Sequence, residues 1–114
     1  MSKLTWYKIQ NPKIPLEGKS SLLKIGGKKI CLSKFKGELY ALENKCPHAG
    51  GNLAFGECTE NGEVVCPLHH FRYDLKTGKN TSGEGLYVDN FPIRESENIH
   101  EIGIKSSWLK RLFS

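Results

Sequence analysis

The sequence predicts a small all-β domain, built as an antiparallel sandwich or barrel. Turn signals recur about every 8 to 12 residues, a spacing typical of short antiparallel strands. No long stretch has the periodicity of a helix. The chain has 114 residues, a size at which one hydrophobic core is the rule. Residues 1–114 are therefore predicted to form a single domain.

The first half of the chain predicts one strand followed by a three-stranded meander. Pro12 and Pro15 end the first strand, since proline interrupts strand pairing. Gly26–Gly27 is a two-residue hairpin signal, because glycine tolerates the positive φ of such turns. Lys36–Gly37 marks the next turn. The strands predicted from these signals are residues 4–9, 21–25, 28–35 and 38–42.

The second half predicts shorter strands around a central insertion. Residues 63–65 and 71–75 are predicted strands, closed by a turn at 76–78, and a polar loop follows over 79–85. Further extended segments are predicted at residues 86–88, 91–94 and 99–104. The segment of about residues 43–78 thus forms an inserted subdomain between the meander and the C-terminal strands.

The last nine residues, 106–114, have a different pattern. In a short helix their apolar side chains would share one face and their basic side chains another. The apolar set is Trp108, Leu109, Leu112 and Phe113, and the basic pair is Lys110 and Arg111. This tail either packs on the domain or docks on a partner or membrane surface. It is too short to anchor stably by itself.

Charge and hydropathy narrow the function classes. The chain has 17 Lys+Arg against 12 Asp+Glu, a formal net charge of +5. The basic residues are scattered, which argues against nucleic-acid binding, while the surplus favours an acidic protein partner. No apolar run approaches the roughly 20 residues that span a bilayer. With no apolar leader at its start, the chain is predicted to be cytoplasmic.

Two Cys/His pairs stand at the centre of the sequence. After Cys46 and His48, 17 residues intervene before Cys66, and His69 follows three positions after Cys66. Two thiolates and two imidazoles suit either zinc or iron. Because no secretory signal is present, these cysteines are predicted to be metal ligands rather than half-cystines. The remaining cysteines are predicted to be a buried apolar residue, Cys31, and a loop thiol, Cys58.

The segment from Cys46 to His69 resembles the cluster-binding motif of the Rieske ferredoxins. The resemblance extends from Leu42 to Gly78 and includes the proline after each cysteine. It implies one Rieske-type 2Fe-2S cluster, with Cys46 and Cys66 on one iron and His48 and His69 on the other. The alternative metal is structural zinc in a closed Cys2His2 site.

The resemblance also implies a function. Small Rieske ferredoxins pass single electrons from a reductase to an oxygenase, and the chain contains no nucleotide-binding loop or catalytic triad. We therefore expect a monomeric electron carrier that is not itself an enzyme. The alternative is the small subunit of an assimilatory nitrite reductase, with the large subunit as its partner.

Several neighbours of the ligand pairs are predicted to shape the site. Gly50 and Gly51 allow the backbone to approach the cluster closely. High-potential Rieske proteins carry a disulfide where this chain has Gly51 and Leu68, and a serine where it has Phe71. Tyr73 matches a tyrosine that donates to a ligand sulfur in those proteins. The resemblance thus predicts a potential near the low end of roughly −150 to +300 mV, which Phe71→Ser would raise.

Three further polar residues are predicted to lie outside the set of metal ligands. His70 follows the ligand His69 and is expected at the exposed rim of the site, where it contacts a partner. His100 is remote from both ligand pairs and is expected on the surface. Asp74 is expected at the end of a strand or in the adjoining turn.

Overall fold

The computed structural model describes residues 4–46, 50–68, 70–83 and 85–105. Within these ranges the chain forms nine strands and two single-turn 3-10 helices, at Asn11–Lys13 and Leu53–Phe55. The strands are β1 (Leu4–Ile9), β2 (Ser20–Ile25), β3 (Lys28–Phe35), β4 (Glu38–Glu43), β5 (Glu63–Val65), β6 (Arg72–Asp74), β7 (Asn90–Phe91), β8 (Ile93–Ser96) and β9 (Ile99–Lys105).

All strand pairs are antiparallel and form three sheets. The largest has the order β2-β3-β4-β7, the second has the order β1-β9-β8, and β5 pairs with β6 in a separate hairpin. The predicted all-β antiparallel class is confirmed. The hairpin lies in the chain between the meander and the C-terminal strands, where the sequence predicted an insertion.

The two turns of the meander have the backbone that their residues predict. Gly26 and Gly27 have φ values of +58° and +76°, and Lys36 and Gly37 have values of +51° and +79°. Two successive positive φ values define the hairpin turn that matches the twist of the flanking strands. Gly26 is also confined, because a Cβ there would lie 2.9 Å from Ile104 Cδ1.

Strand β3 is buried on both faces and separates two cores. Ile30 and Leu32 point into a core shared with β1, β8 and β9, whereas Cys31 points the other way. This alternation follows from the two-residue period of a strand. The second core lies between the large sheet and the β5–β6 hairpin, and it contains both Cys46 and Cys66. Cys31 is fully buried, as predicted.

Two of the predicted extended segments are paired differently from a single continuous strand. Residues 86–88 form no strand; Tyr87 makes one isolated bridge, to Lys79. The predicted strand at 91–94 is divided at Pro92, whose ring leaves no N–H to pair, so that β7 joins the large sheet and β8 joins β9. The 106–114 tail lies outside the described residues. Among the residues that are described, no helix is long and apolar enough to cross a membrane.

Candidate metal centre

Two loops that are closed by the same pattern of backbone hydrogen bonds carry the two cysteines. In the first, the N–H of Cys46 donates to the Gly51 carbonyl at 2.9 Å, and the N–H of Gly50 donates to the Cys46 carbonyl at 2.7 Å. In the second, the N–H of Cys66 donates to the Phe71 carbonyl at 2.7 Å, and the N–H of His70 donates to the Cys66 carbonyl at 2.9 Å. Each loop is therefore closed by the same two hydrogen bonds at the same offsets.

The fifth residue of each loop has a left-handed backbone. Gly50 has a φ of +72°, and His70, at the equivalent position, has a φ of +59°. Positive φ is easy for glycine and costly for a residue with a Cβ. The His70 side chain is exposed, as predicted. The left-handed backbone of His70 was not predicted, although an alignment of residues 46–51 with 66–71 places His70 at the position of Gly50.

Gly51 lies between the two loops. Its carbonyl accepts from the Cys46 N–H, while a Cβ built on it would lie 2.9 Å from Cys66 Sγ and 3.1 Å from Leu68 Cγ. Any larger residue at position 51 would therefore displace the second thiol. The same contact places Gly51 beside Leu68, the two positions at which, by the resemblance, high-potential Rieske proteins carry a disulfide.

The two thiols are removed from water. Cys46 is 1% exposed and Cys66 is 0% exposed. No disulfide involves either of them, and all four cysteines of the chain lie within the described residues. Cys46 follows β4 and Cys66 follows β5, so that the large sheet supplies one thiol and the small hairpin supplies the other.

Tyr73 approaches the first thiol. Its hydroxyl oxygen lies 3.1 Å from Cys46 Sγ, and its side chain is fully buried. Burial, followed by the contact with Cys46, raises the pKa of this phenol well above its usual value. The nearby Asn80 side chain opposes part of this rise in pKa. A metal-bound thiolate has no proton, so Tyr73 is then the donor to sulfur.

Phe71 belongs to the second loop through its backbone. Its carbonyl closes the loop, and its half-buried ring packs against the core that holds both thiols. This side chain offers no hydroxyl to the site. Phe71 therefore lies next to Cys66 through this backbone hydrogen bond, at a position where a serine would have a donor to offer.

Asn44 is a structural residue of the site that sequence reasoning missed. It is 4% exposed, its Oδ1 accepts the N–H of Ala54 at 2.6 Å, and its Nδ2 donates to Asn52 Oδ1 at 3.0 Å. These hydrogen bonds tie residues 52–54, which follow the first loop, to Asn44, which precedes it. The only local signal is a short amide two residues before Cys46, and such residues often bond nearby backbone.

A buried carboxylate fixes the hairpin beneath the second loop. Glu63 is 8% exposed and accepts hydrogen bonds from the hydroxyls of Thr59 and Thr81. Buried carboxylates need such partners. Glu63 was treated at the sequence level only as part of a strand, because its burial depends on a loop that arrives from residue 81.

The remaining predicted residues have simple surroundings. Asp74 ends β6, and its Oδ2 accepts from both the N–H and the hydroxyl of Thr77, as the predicted turn requires. Cys58 is half-buried, with its sulfur 3.5 Å from Ser20 Oγ. His100 is more buried than predicted: its side chain is 22% exposed and its Nε2 lies 3.0 Å from Glu95 Oε2.

The two thiols suit an iron–sulfur group. They are buried, they lie on matched loops, and each is followed within three residues by a histidine. Paired thiolate and imidazole donors are the ligand set of a Rieske centre. His48 and His69 themselves lie outside the described residues.

The chain is similar to known proteins in sequence and in fold. The pattern of the Rieske 2Fe-2S domain family matches residues 5–92. A ferredoxin component of the naphthalene 1,2-dioxygenase/salicylate 5-hydroxylase systems of Ralstonia sp. is 41% identical over 63 residues, which are 55% of this chain and 60% of the relative. The match thus spans about three fifths of that relative's length.

Two solved structures share the fold. The ferredoxin of carbazole 1,9a-dioxygenase from Nocardioides aromaticivorans IC177 has a TM-score of 0.77 and 23% identity, and the match covers 86% of this chain and 96% of that one. A structure described as an NADH-dependent nitrite reductase small subunit from Mycobacterium tuberculosis has a TM-score of 0.77 and 17% identity, covering 89% and 96% of the two chains. At these identities the likeness concerns the fold alone.

Proposed function

Because the chain belongs to the Rieske 2Fe-2S domain family, and so holds one cluster of that type, we propose that it is a one-electron carrier which delivers electrons from a reductase to an oxygenase. The observation that carries the proposal is the pair of matched loops, each presenting a buried cysteine. The Ralstonia protein to which this chain is similar is a ferredoxin component of an oxygenase system.

We propose Cys46, His48, Cys66 and His69 as the ligands. When bound, a Rieske cluster supplies reversible one-electron chemistry at a potential above that of all-cysteine clusters. The protein supports this chemistry by excluding water from both sulfurs and by directing the Tyr73 hydroxyl at Cys46 Sγ. We also propose that residues 43–78 act as the unit that holds the cluster, since the matched loops and their closing hydrogen bonds lie within it.

Electrons are proposed to leave at the rim formed by the tips of the two loops. Near this rim Pro67 and His70 are exposed, and Leu68 keeps 55% of its surface in contact with water. An exposed apolar residue at this rim suits a transient protein contact, which needs little buried area. The carrier therefore meets its partners with the face that contains the ligands.

Metal and sulfide analysis tests the ligand assignment. Protein made in iron-sufficient cells should contain about two irons and two acid-labile sulfides per chain. Cys46→Ser and His69→Ala should each lose the cluster, whereas His70→Ala should keep it. One zinc with no sulfide would refute the iron–sulfur assignment, and loss of the cluster in His70→Ala would refute the choice of His69.

Reconstitution tests the carrier role. The protein is mixed with the reductase and oxygenase components of a naphthalene dioxygenase system that lacks its own ferredoxin. Product formation should require all three proteins and should stop when the Cys46→Ser variant replaces the parent. Substrate turnover by the isolated chain would refute the carrier role. A stable stoichiometric complex with a nitrite reductase large subunit, combined with no support of the oxygenase, would favour the alternative.

A further inference from the structure

Four lysines gather at the end of the large sheet that leads into the first loop. Strand β2 ends, β3 begins and β4 ends at this edge. The chain passes from β4 through Asn44 and Lys45 to Cys46, and the N–H of Asn44 donates to the Lys29 carbonyl at 3.1 Å. We define the lysine face by these four residues: Lys24, Lys28, Lys29 and Lys45.

The sheet brings two of these lysines into direct opposition. Lys24 and Lys29 are register partners across β2 and β3, and both side chains are exposed. Side chains directly opposite each other in an antiparallel pair lie about 5 Å apart at Cβ, and like charges there destabilise the sheet. The presence of this destabilising lysine pair indicates that the concentrated positive charge has a function.

The lysine face borders a shallow groove that reaches the first loop. The groove has a volume of about 390 Å3 and extends along Lys28, Lys29 and Lys45 to Gly50, the left-handed residue of the first loop. Among the described residues that line it, Glu43 is the one carboxylate. The groove therefore places positive charge beside the loop that carries Cys46.

We propose that the lysine face docks a carboxylate-rich surface of the protein redox partner, beside the first loop. The inference rests on the proposed carrier function and adds the charge of the partner. Opposite charges across an interface speed encounter and fix orientation, and a contact here places the partner next to the end of the molecule that holds the cluster. Its occupant is an acidic protein surface rather than a nucleic acid, since the clustered charge is a patch of four lysines and the other basic residues are scattered rather than aligned in a stripe.

Electron transfer to one acceptor protein in two charge forms tests the proposal. Cytochrome c is basic, and succinylation of its lysines makes it acidic while the haem stays the same. Reduced protein gives one electron to the ferric haem, which becomes ferrous, and absorbance reports the rate. At low ionic strength the parent should reduce the succinylated form faster than the native form, and salt should abolish the difference.

Two double variants with equal net charge provide the comparison. Lys29→Glu/Lys45→Glu lowers the net charge from +5 to +1 (5 − 4). Lys13→Glu/Lys19→Glu does the same at two exposed positions near the opposite end of the sheet, where the Lys34 N–H donates to the Lys19 carbonyl. The first variant should lose about tenfold in rate toward succinylated cytochrome c and gain toward native cytochrome c. The second should change each rate less than about threefold.

The outcomes separate this inference from the proposed function. Equal effects of the two double variants would overturn the lysine face, because net charge alone would then explain the rates. The Kd of the oxidised protein for succinylated cytochrome c should rise only in the Lys29/Lys45 variant. Binding of a 20-base-pair DNA duplex as tightly as succinylated cytochrome c would also overturn it. A chain that cannot be reduced and reoxidised by one electron would instead refute the carrier function itself.

Discussion

The Tyr73 hydroxyl should raise the reduction potential, and removing it tests how the fold tunes the cluster. Tyr73→Phe deletes one oxygen and keeps the ring that fills the core. In the structure this oxygen lies 3.1 Å from Cys46 Sγ, within a side chain that is fully buried. A donor to sulfur stabilises the more negative reduced state most, so its loss should lower the potential.

The size of this shift follows from the strength of the bond. Hydrogen bonds to charged groups contribute about 1.5–3 kcal/mol, but the oxidised protein keeps the same bond. Only the strengthening on reduction counts, which we take as about 1 kcal/mol, some half of the total. Because 1.4 kcal/mol corresponds to about 59 mV for one electron, the potential should fall by about 40 mV.

Protein-film voltammetry of the parent and two variants measures the shift. Tyr87→Phe is the matched control, because it removes the same hydroxyl from a side chain that is 68% exposed and lies away from the thiols. It should leave the potential within about 10 mV of the parent. A Tyr73→Phe potential equal to or above that of the parent would refute the reasoning, because the hydroxyl would then not favour the reduced state.

Three further predictions concern conformation, reactivity and pH. His70→Gly should raise the free energy of unfolding by about 0.5–1 kcal/mol and so raise the thermal midpoint, because position 70 has a φ of +59°, as Gly50 has +72°. A lower midpoint would contradict this. In the holoprotein, iodoacetamide at about pH 8 should label half-buried Cys58 and spare Cys31, whose pKa burial raises to about 11; label retained in Cys58→Ser would contradict this. Glu17 accepts the N–H groups of residues 36 and 37, which lower its pKa below 4.5. Its stabilisation is present above pH 4.5 and is lost as the pH falls through the lowered value, so Glu17→Gln should weaken the acid dependence of the midpoint; an unchanged dependence counts against this.

Much of the strand layout could be predicted because it depends on neighbours in the chain. Gly26–Gly27 and Lys36–Gly37 make turns whose chemistry is local. The predicted limits of β1 and β3 agree with the structure, since their ends are marked by such turns or by proline. The extended segment predicted at 86–88 does not become a strand, because only one isolated bridge holds it.

The site could be located but not assembled from its residues. The spacing of the Cys/His pairs indicated a metal centre, and the resemblance supplied its type. The equivalence of Gly50 and His70 was missed, because it appears only when the backbone hydrogen bonds of the two loops are compared. Asn44 was missed for a similar reason, since its partners become neighbours only after the chain turns back.

Local signals in the sequence were enough to predict the fold class, the turns of the meander and the position of the metal-binding motif. These depend on short-range preferences: positive φ at glycine, the two-residue period of strands, and ligand type at close spacing. Which distant segments meet is visible in the tertiary structure alone. It pairs β1 with β9, divides the chain at Pro92 between two sheets, and brings Tyr73 to Cys46. Such contacts depend on how the two cores pack around β3, which no local pattern contains.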